Sequence, residues 1–180
     1  MRNKAKLLTY SAMMCAFLMI STMWLKFTIP GSGIQVTTQV FFILLCGQIL
    51  PPKYCLASIG TYLALGLAGV PVFAATQGIS VIATPSFGYL VSFPVAAMVV
   101  SAIRNHQENK KGWRYGASLA GVIIIYVVAV PYIALLHALY LGSSISAAFL
   151  FKTYCLAFLP IDIIKGALAA YLGGKFIQIT

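Results

Sequence analysis

The chain has 180 residues, 61% hydrophobic and only 8% charged, against roughly 25% charged residues in soluble domains. That composition excludes an ordinary soluble enzyme or binding module and predicts an all-α, polytopic bundle surrounded by membrane lipid in the cell membrane. The net charge of +10 would suit nucleic acid, but Lys and Arg gather between apolar stretches as topology signals, so a nucleic-acid partner is excluded.

Six helical spans are predicted, forming a single domain over residues 1–180 with no separate soluble part. The first covers residues 7–25. It follows a basic start (Arg2, Lys4, Lys6), is long for a signal sequence and has no clear cleavage site, so it reads as a retained helix. Within it, Ala12 and Ala16 form a small-x-x-x-small pair, a spacing that lets another helix approach closely. A short segment with Pro30, Gly31 and Gly33 leads to the second span, residues 37–50. Pro51 and Pro52 end that span, because consecutive prolines cannot continue a helix. The third span is residues 54–69.

A long connection, residues 70–86, follows, broken by Pro71, Gly78 and Pro85. It is apolar and carries no charge, which predicts a lid folded back over a cavity rather than a loop held in solvent. The fourth span covers 87–103 and a charged loop covers 104–114. The fifth covers 115–141 with a kink at Pro131. Gly142, Ser143 and Ser144 then turn the chain into the sixth, residues 145–177. The basic residues fall in the N-terminal tail, at Lys53, in the 104–114 loop and at Lys175. The opposite connections have none, Lys26 apart. Both termini are therefore expected to be cytoplasmic.

The chain has two acidic residues, Glu108 in the polar loop and Asp162 inside the sixth span. A charge at the centre of a membrane helix costs about 2.5–3.5 kcal/mol on insertion scales, so Asp162 marks a candidate site. Lys165 lies three residues on, which puts both side chains on one helix face. An acceptor beside a donor suits a small molecule presenting N–H together with C=O or carboxylate groups. Pro160 should loosen the helix there and free backbone carbonyls. The bland alternative is an ion pair that only ties helices together.

Other chemistries have few players. There is no phosphate-binding G-x-x-x-x-G-K-[ST] loop, so the chain is not expected to hydrolyse ATP. No metalloprotease H-E-x-x-H, no G-x-S-x-G and no Cys/His cluster occurs, so no enzyme, metal or cofactor is expected. Cys15, Cys46, Cys55 and Cys155 read as small buried hydrophobes, His106 as solvated and His137 as packed at a helix end.

The chain resembles the BioY family, the biotin-binding S components of energy-coupling factor (ECF) vitamin transporters, over most of its length. Residues 69–74 (Gly-Val-Pro-Val-Phe-Ala), followed by Thr84-Pro85-Ser86-Phe87-Gly88-Tyr89-Leu90 and Phe93-Pro94, are similar to that family's glycine- and proline-rich signature. Val36-Thr37-Thr38-Gln39 with Gly47, and Pro160 with Asp162 and Lys165, are similar to two further family motifs. The chain departs from the pattern at Thr84, Ser86 and Phe87, and where glycines usually follow Phe73.

The resemblance implies that biotin binds from outside, beneath the 70–86 loop. Asp162 would accept from a ring N–H and Lys165 would donate to the carbonyl. Gln39, Gln77, Ser86 and Tyr89 would add polar contacts, with Phe73 and Phe87 packing on apolar atoms. Lys26 or Lys152 could take the valerate carboxylate. Ala12 and Ala16 would dock a transmembrane coupling protein, energised by two ATP-binding subunits. The nearest rival is an S component for another small vitamin or precursor. An integral-membrane enzyme and an assembly subunit are more distant rivals.

Overall fold

The structure, a computed structural model, describes residues 2–24, 26–28, 35–74, 76–106, 111–140 and 146–179. The segment holding Pro30, Gly31 and Gly33, the acidic Glu108 and the Gly142-Ser143-Ser144 turn lie outside the described residues.

Helix α1 spans Arg2–Met23. Two short antiparallel strands follow, β1 (Lys26–Thr28) and β2 (Gln35–Thr37), paired with Lys26 opposite Thr37. Among the described residues this two-stranded pair is the one stretch of strand in an otherwise helical bundle. Then come α2 (Gln39–Ile49), α3 (Pro52–Leu67), α4 (Ser86–His106) and α5 (Lys111–Leu139). The last span is α6 (Ala147–Phe151), a π-helical turn (Lys152–Leu156) and α7 (Leu159–Ile179).

Four helical stretches among the described residues are long and apolar enough to cross a membrane: Lys4–Met23, Ser86–His106, Gly112–Leu139 and Ala148–Phe176. The second and third predicted spans are shorter. At about 1.5 Å per residue α2 is only ~16 Å long, against a hydrocarbon core of about 30 Å. It is nonetheless the centre of the bundle, buried from Gln39 and Val40 to Gly47 and Gln48 and packed against α7, α4, α1 and α5. A helix enclosed by other helices need not match the bilayer, because lipid never meets its ends.

The sixth predicted span is not one helix. Pro160 occupies the first turn of α7, where its missing N–H costs nothing, and the chain reaches that start through the π turn. Pro131 and Pro94 stay inside α5 and α4, which continue through them.

Arg104, expected in a solvated loop, is buried within α4. Its guanidinium donates to the carbonyls of Gln48 (2.8 Å) and Ile49 (3.1 Å) at the end of α2. A cation there complements the negative end of the helix dipole. Gln48, in turn, donates to the Arg114 carbonyl and to Ser118. The ends of α2 and α4 and the start of α5 therefore meet at one end of the bundle. At the other end, Thr22 of α1 donates to the Val72 carbonyl at 2.6 Å, tying the 70–86 segment to the first helix.

Candidate functional site

Residues 70–74 and 76–86 form a cap. Gly69 and Gly78 adopt φ of +97° and +70°, conformations that residues with a Cβ rarely adopt, and they bracket its first half. The Gly78 N–H returns to the Gly66 carbonyl at 2.8 Å. A short 3-10 turn, Ile79–Ala83, completes the segment before α4 begins.

Inside this half-loop the Gln77 side chain folds onto Phe73, accepting from its N–H (3.0 Å) and donating to its C=O (2.9 Å). The Phe73 ring lies against Gly66, so close that a Cβ there would come within 2.1 Å of it. It also packs edge-on to Tyr62, with ring centroids 5.4 Å apart. Phe73 is thus held from three sides.

Beneath the cap lies a cavity, open on one side, with about 710 Å³ of empty space counting the solvent at its mouth. Its walls are mainly apolar, from Val40, Phe73, Val81, Leu90, Phe93 and Phe158. Thr37, Gln39, Thr76, Ser86, Tyr89, Asp162 and Lys165 supply the polar groups. An apolar cleft with a few placed polar groups is the usual form of a small-molecule site.

Asp162 is 5% exposed and stands in the first turn of α7, where the positive end of the helix dipole favours a carboxylate. Lys165 donates to its Oδ1 at 2.9 Å, and the Tyr126 hydroxyl of α5 donates to its Oδ2 at 2.7 Å. Lys165 also donates to the Thr37 carbonyl at 2.8 Å. Each carboxylate oxygen keeps a further lone pair, and the ammonium keeps one of its three donors. The pair therefore remains able to accept from and donate to a ligand.

A second polar chain runs along the wall. Thr37 donates to Gln39 Oε1 (2.9 Å), Gln39 Nε2 donates to the Tyr62 hydroxyl (2.6 Å), and Tyr62 donates to the Val72 carbonyl (3.1 Å). The Tyr89 hydroxyl donates to the Tyr154 carbonyl, in the π turn where the regular helical ladder is interrupted.

The structure brings together six of the eight residues that the sequence reading assigned to the site: Asp162, Lys165, Tyr89, Gln39, Ser86 and Phe73. Two are placed elsewhere. Gln77 does not line the cavity, because its amide is spent clamping Phe73. Phe87 points toward α5, edge-on to Tyr132 at 5.7 Å between centroids. Tyr126, Thr37 and Thr76 were missed. Lys152 is exposed on the π turn away from the cavity lining, whereas Lys26 reaches the cap, donating to the Ala74 carbonyl at 3.1 Å.

Ala12 and Ala16 are exposed on α1, on a face shared with Leu8 and Ile20 at four-residue spacing. The four cysteines are buried and free, and no metal-binding cluster occurs among the described residues.

A family model described as the BioY family matches residues 1–179. The chain is 30% identical to a probable biotin transporter BioY of Pyrococcus horikoshii, across 91% of this chain and 93% of that protein. It is 29% identical to a probable biotin transporter BioY of Bacillus subtilis, across 94% and 87%. A 37% match to a probable biotin transporter BioY of Lysinibacillus sphaericus spans 58% of this chain and about half (54%) of that protein. Among solved structures, an S component for biotin from an ECF-type ABC transporter superposes with a TM-score of 0.84. It is 26% identical, over 98% of this chain and 93% of that one.

Proposed function

The chain belongs to the BioY family, and on that premise we propose that it is the substrate-binding subunit of a biotin uptake transporter, a multi-pass protein of the cell membrane. The observation that carries this reading is the ion pair of buried Asp162 with half-buried Lys165, braced by Tyr126, in the wall of a capped apolar cavity. Biotin's fused ring presents two N–H donors and one carbonyl. Asp162 accepts from an N–H, and the remaining Lys165 donor meets the carbonyl. Gln39, Ser86 and Tyr89 offer further polar contacts, and Phe73, Leu90 and Phe158 enclose the apolar ring and chain. Gln77 and Phe87 act indirectly, by holding the cap and the start of α4.

A separate module would supply the energy, consistent with a sequence that lacks a phosphate-binding loop. We assign it a transmembrane coupling protein, docked on the Ala12–Ala16 face of α1, and two ATP-binding subunits. The basic residues at the end of α4 and the start of α5, together with Lys4, Lys6, Lys53 and Lys175, support the reading that this end and both termini are cytoplasmic. The cap then faces outside.

The direct test is equilibrium binding of biotin to the purified protein in detergent, by calorimetry. Saturable one-to-one binding is expected. A folded protein that binds no biotin would reject this reading. A second expectation concerns the cap. Gly66→Val should push the Phe73 ring out of its seat, since the new side chain would occupy that space. The affinity for biotin should fall about tenfold, a loss of ~1.4 kcal/mol, with a much smaller change in melting temperature. Unchanged affinity would show that Phe73 does not touch the ligand.

A further inference from the structure

We propose that Lys26 is the specificity-determining residue for the acid end of the ligand, reading a carboxylate at the mouth of the cavity. The inference rests on the biotin-binding reading above and deepens it.

Geometry argues for Lys26 in two independent ways. In the β1–β2 hairpin Lys26 sits directly opposite Thr37. Directly opposed residues of an antiparallel pair project from the same face, and Thr37 is a cavity wall. The Lys26 side chain therefore leaves the hairpin on the cavity side. Its ammonium then reaches the Ala74 carbonyl, 3.1 Å away on the cap, and Ala74 is also a lining residue. Lys26 thus spans the opening from one rim to the other. Unlike Lys165 it is exposed, and two of its three donors remain for a ligand.

The charge balance within the cavity points the same way. Lys165 is the one cation among the described lining residues, and it is already engaged by Asp162 and the Thr37 carbonyl. A ligand whose hydrogen-bonding head meets that pair leaves its anionic tail without a partner inside. Neither Lys26 nor Lys152 is itself a lining residue, but Lys26 is bonded to the lining residue Ala74 at 3.1 Å, whereas Lys152 is exposed on the π turn. A monocarboxylate tail emerging between the hairpin and the cap meets Lys26. There it gains a charge-assisted hydrogen bond, which is stronger than the bond to a neutral carbonyl. The site would accordingly favour the free acid over a neutral derivative of the same head.

The test measures dissociation constants for biotin and for its neutral carboxamide, with wild type, Lys26→Met and Lys26→Arg in detergent. Wild type should prefer the acid by about tenfold. Lys26→Met should abolish that preference by weakening the acid alone, leaving the carboxamide within about twofold of wild type. Lys26→Arg should restore most of it. A preference that survives in Lys26→Met, or an equal loss for both ligands, would overturn the inference, the latter by reducing Lys26 to a strap for the cap. Wild type that binds both forms equally would overturn it while sparing the biotin reading. Wild type that binds neither would overturn both.

Discussion

Exchange of Asp162 for asparagine is expected to weaken biotin binding by roughly one to two orders of magnitude while leaving the bundle assembled. Asparagine has nearly the same shape and keeps one oxygen, so packing around α7 is preserved. The charge is lost, and with it the charge-assisted character of the bonds from the neutral donors, Tyr126 and a ligand N–H, worth about 1.5–3 kcal/mol for a hydrogen bond to a charged group. The amide would keep its oxygen on Lys165, which can only donate, and turn its N–H₂ toward Tyr126, whose hydroxyl must then switch from donating to accepting. Tyr126→Phe should give a milder loss, because it removes one brace and leaves the charge. Calorimetric titration of the three proteins, with melting temperatures measured on the same samples, separates the cases. If Asp162→Asn binds biotin as wild type does, the pair is a structural clamp and the site lies elsewhere.

Gly47→Val is expected to damage the fold itself. Gly47 lies on α2 where it crosses α4, and a Cβ there would stand 2.7 Å from both the Ala97 carbonyl oxygen and the Val100 Cβ. One of these obstacles is backbone, so the two helices must move apart. Overpacking of this kind costs about 1–3 kcal/mol, sometimes more. Because Gln39 and Val40 of α2 line the cavity, binding should suffer along with stability. Gly60→Val on α3 is the matched control, since nothing lies within 4 Å of a Cβ at that position. Thermal unfolding in detergent should show Gly47→Val well below wild type and Gly60→Val close to it. Equal melting temperatures for all three would mean that the α2–α4 contact is looser than this packing requires.

The parts of the site set by local spacing were legible in the sequence. Asp162 and Lys165 are three residues apart on a helix, so their 2.9 Å pairing follows from helical geometry alone. The capping role of residues 70–86 was legible because an uncharged apolar connection has to bury itself. Other parts depended on where distant segments meet. Tyr126 reaches Asp162 from another helix, and its own surroundings are apolar residues of α5 with nothing to mark it. The Thr37 carbonyl that holds Lys165 is backbone, which every residue has. The family resemblance implied Gln77 as a polar contact for the ligand, but a glutamine in an apolar loop needs a partner of its own. It found one in the main chain four residues away. The second and third spans, expected at 37–50 and 54–69, lie close to α2 and α3, but hydropathy registers apolar residues and not whether their neighbours are lipid or protein, and α2 is enclosed by protein.

The closeness of Asp162 and Lys165 also has an electrical consequence. Carrying one elementary charge across a membrane is worth about 2.3 kcal/mol per 100 mV of potential. With the carboxylate and ammonium 2.9 Å apart, the site moves in that field as a short dipole with no net charge. A ligand carboxylate held by Lys26 would add a second compensated pair. The loaded site would then move as a nearly neutral unit, whereas the emptied site would return with Lys26 uncompensated, so each cycle would carry the ligand's single negative charge across the field and the proposed energising module would have to supply that work.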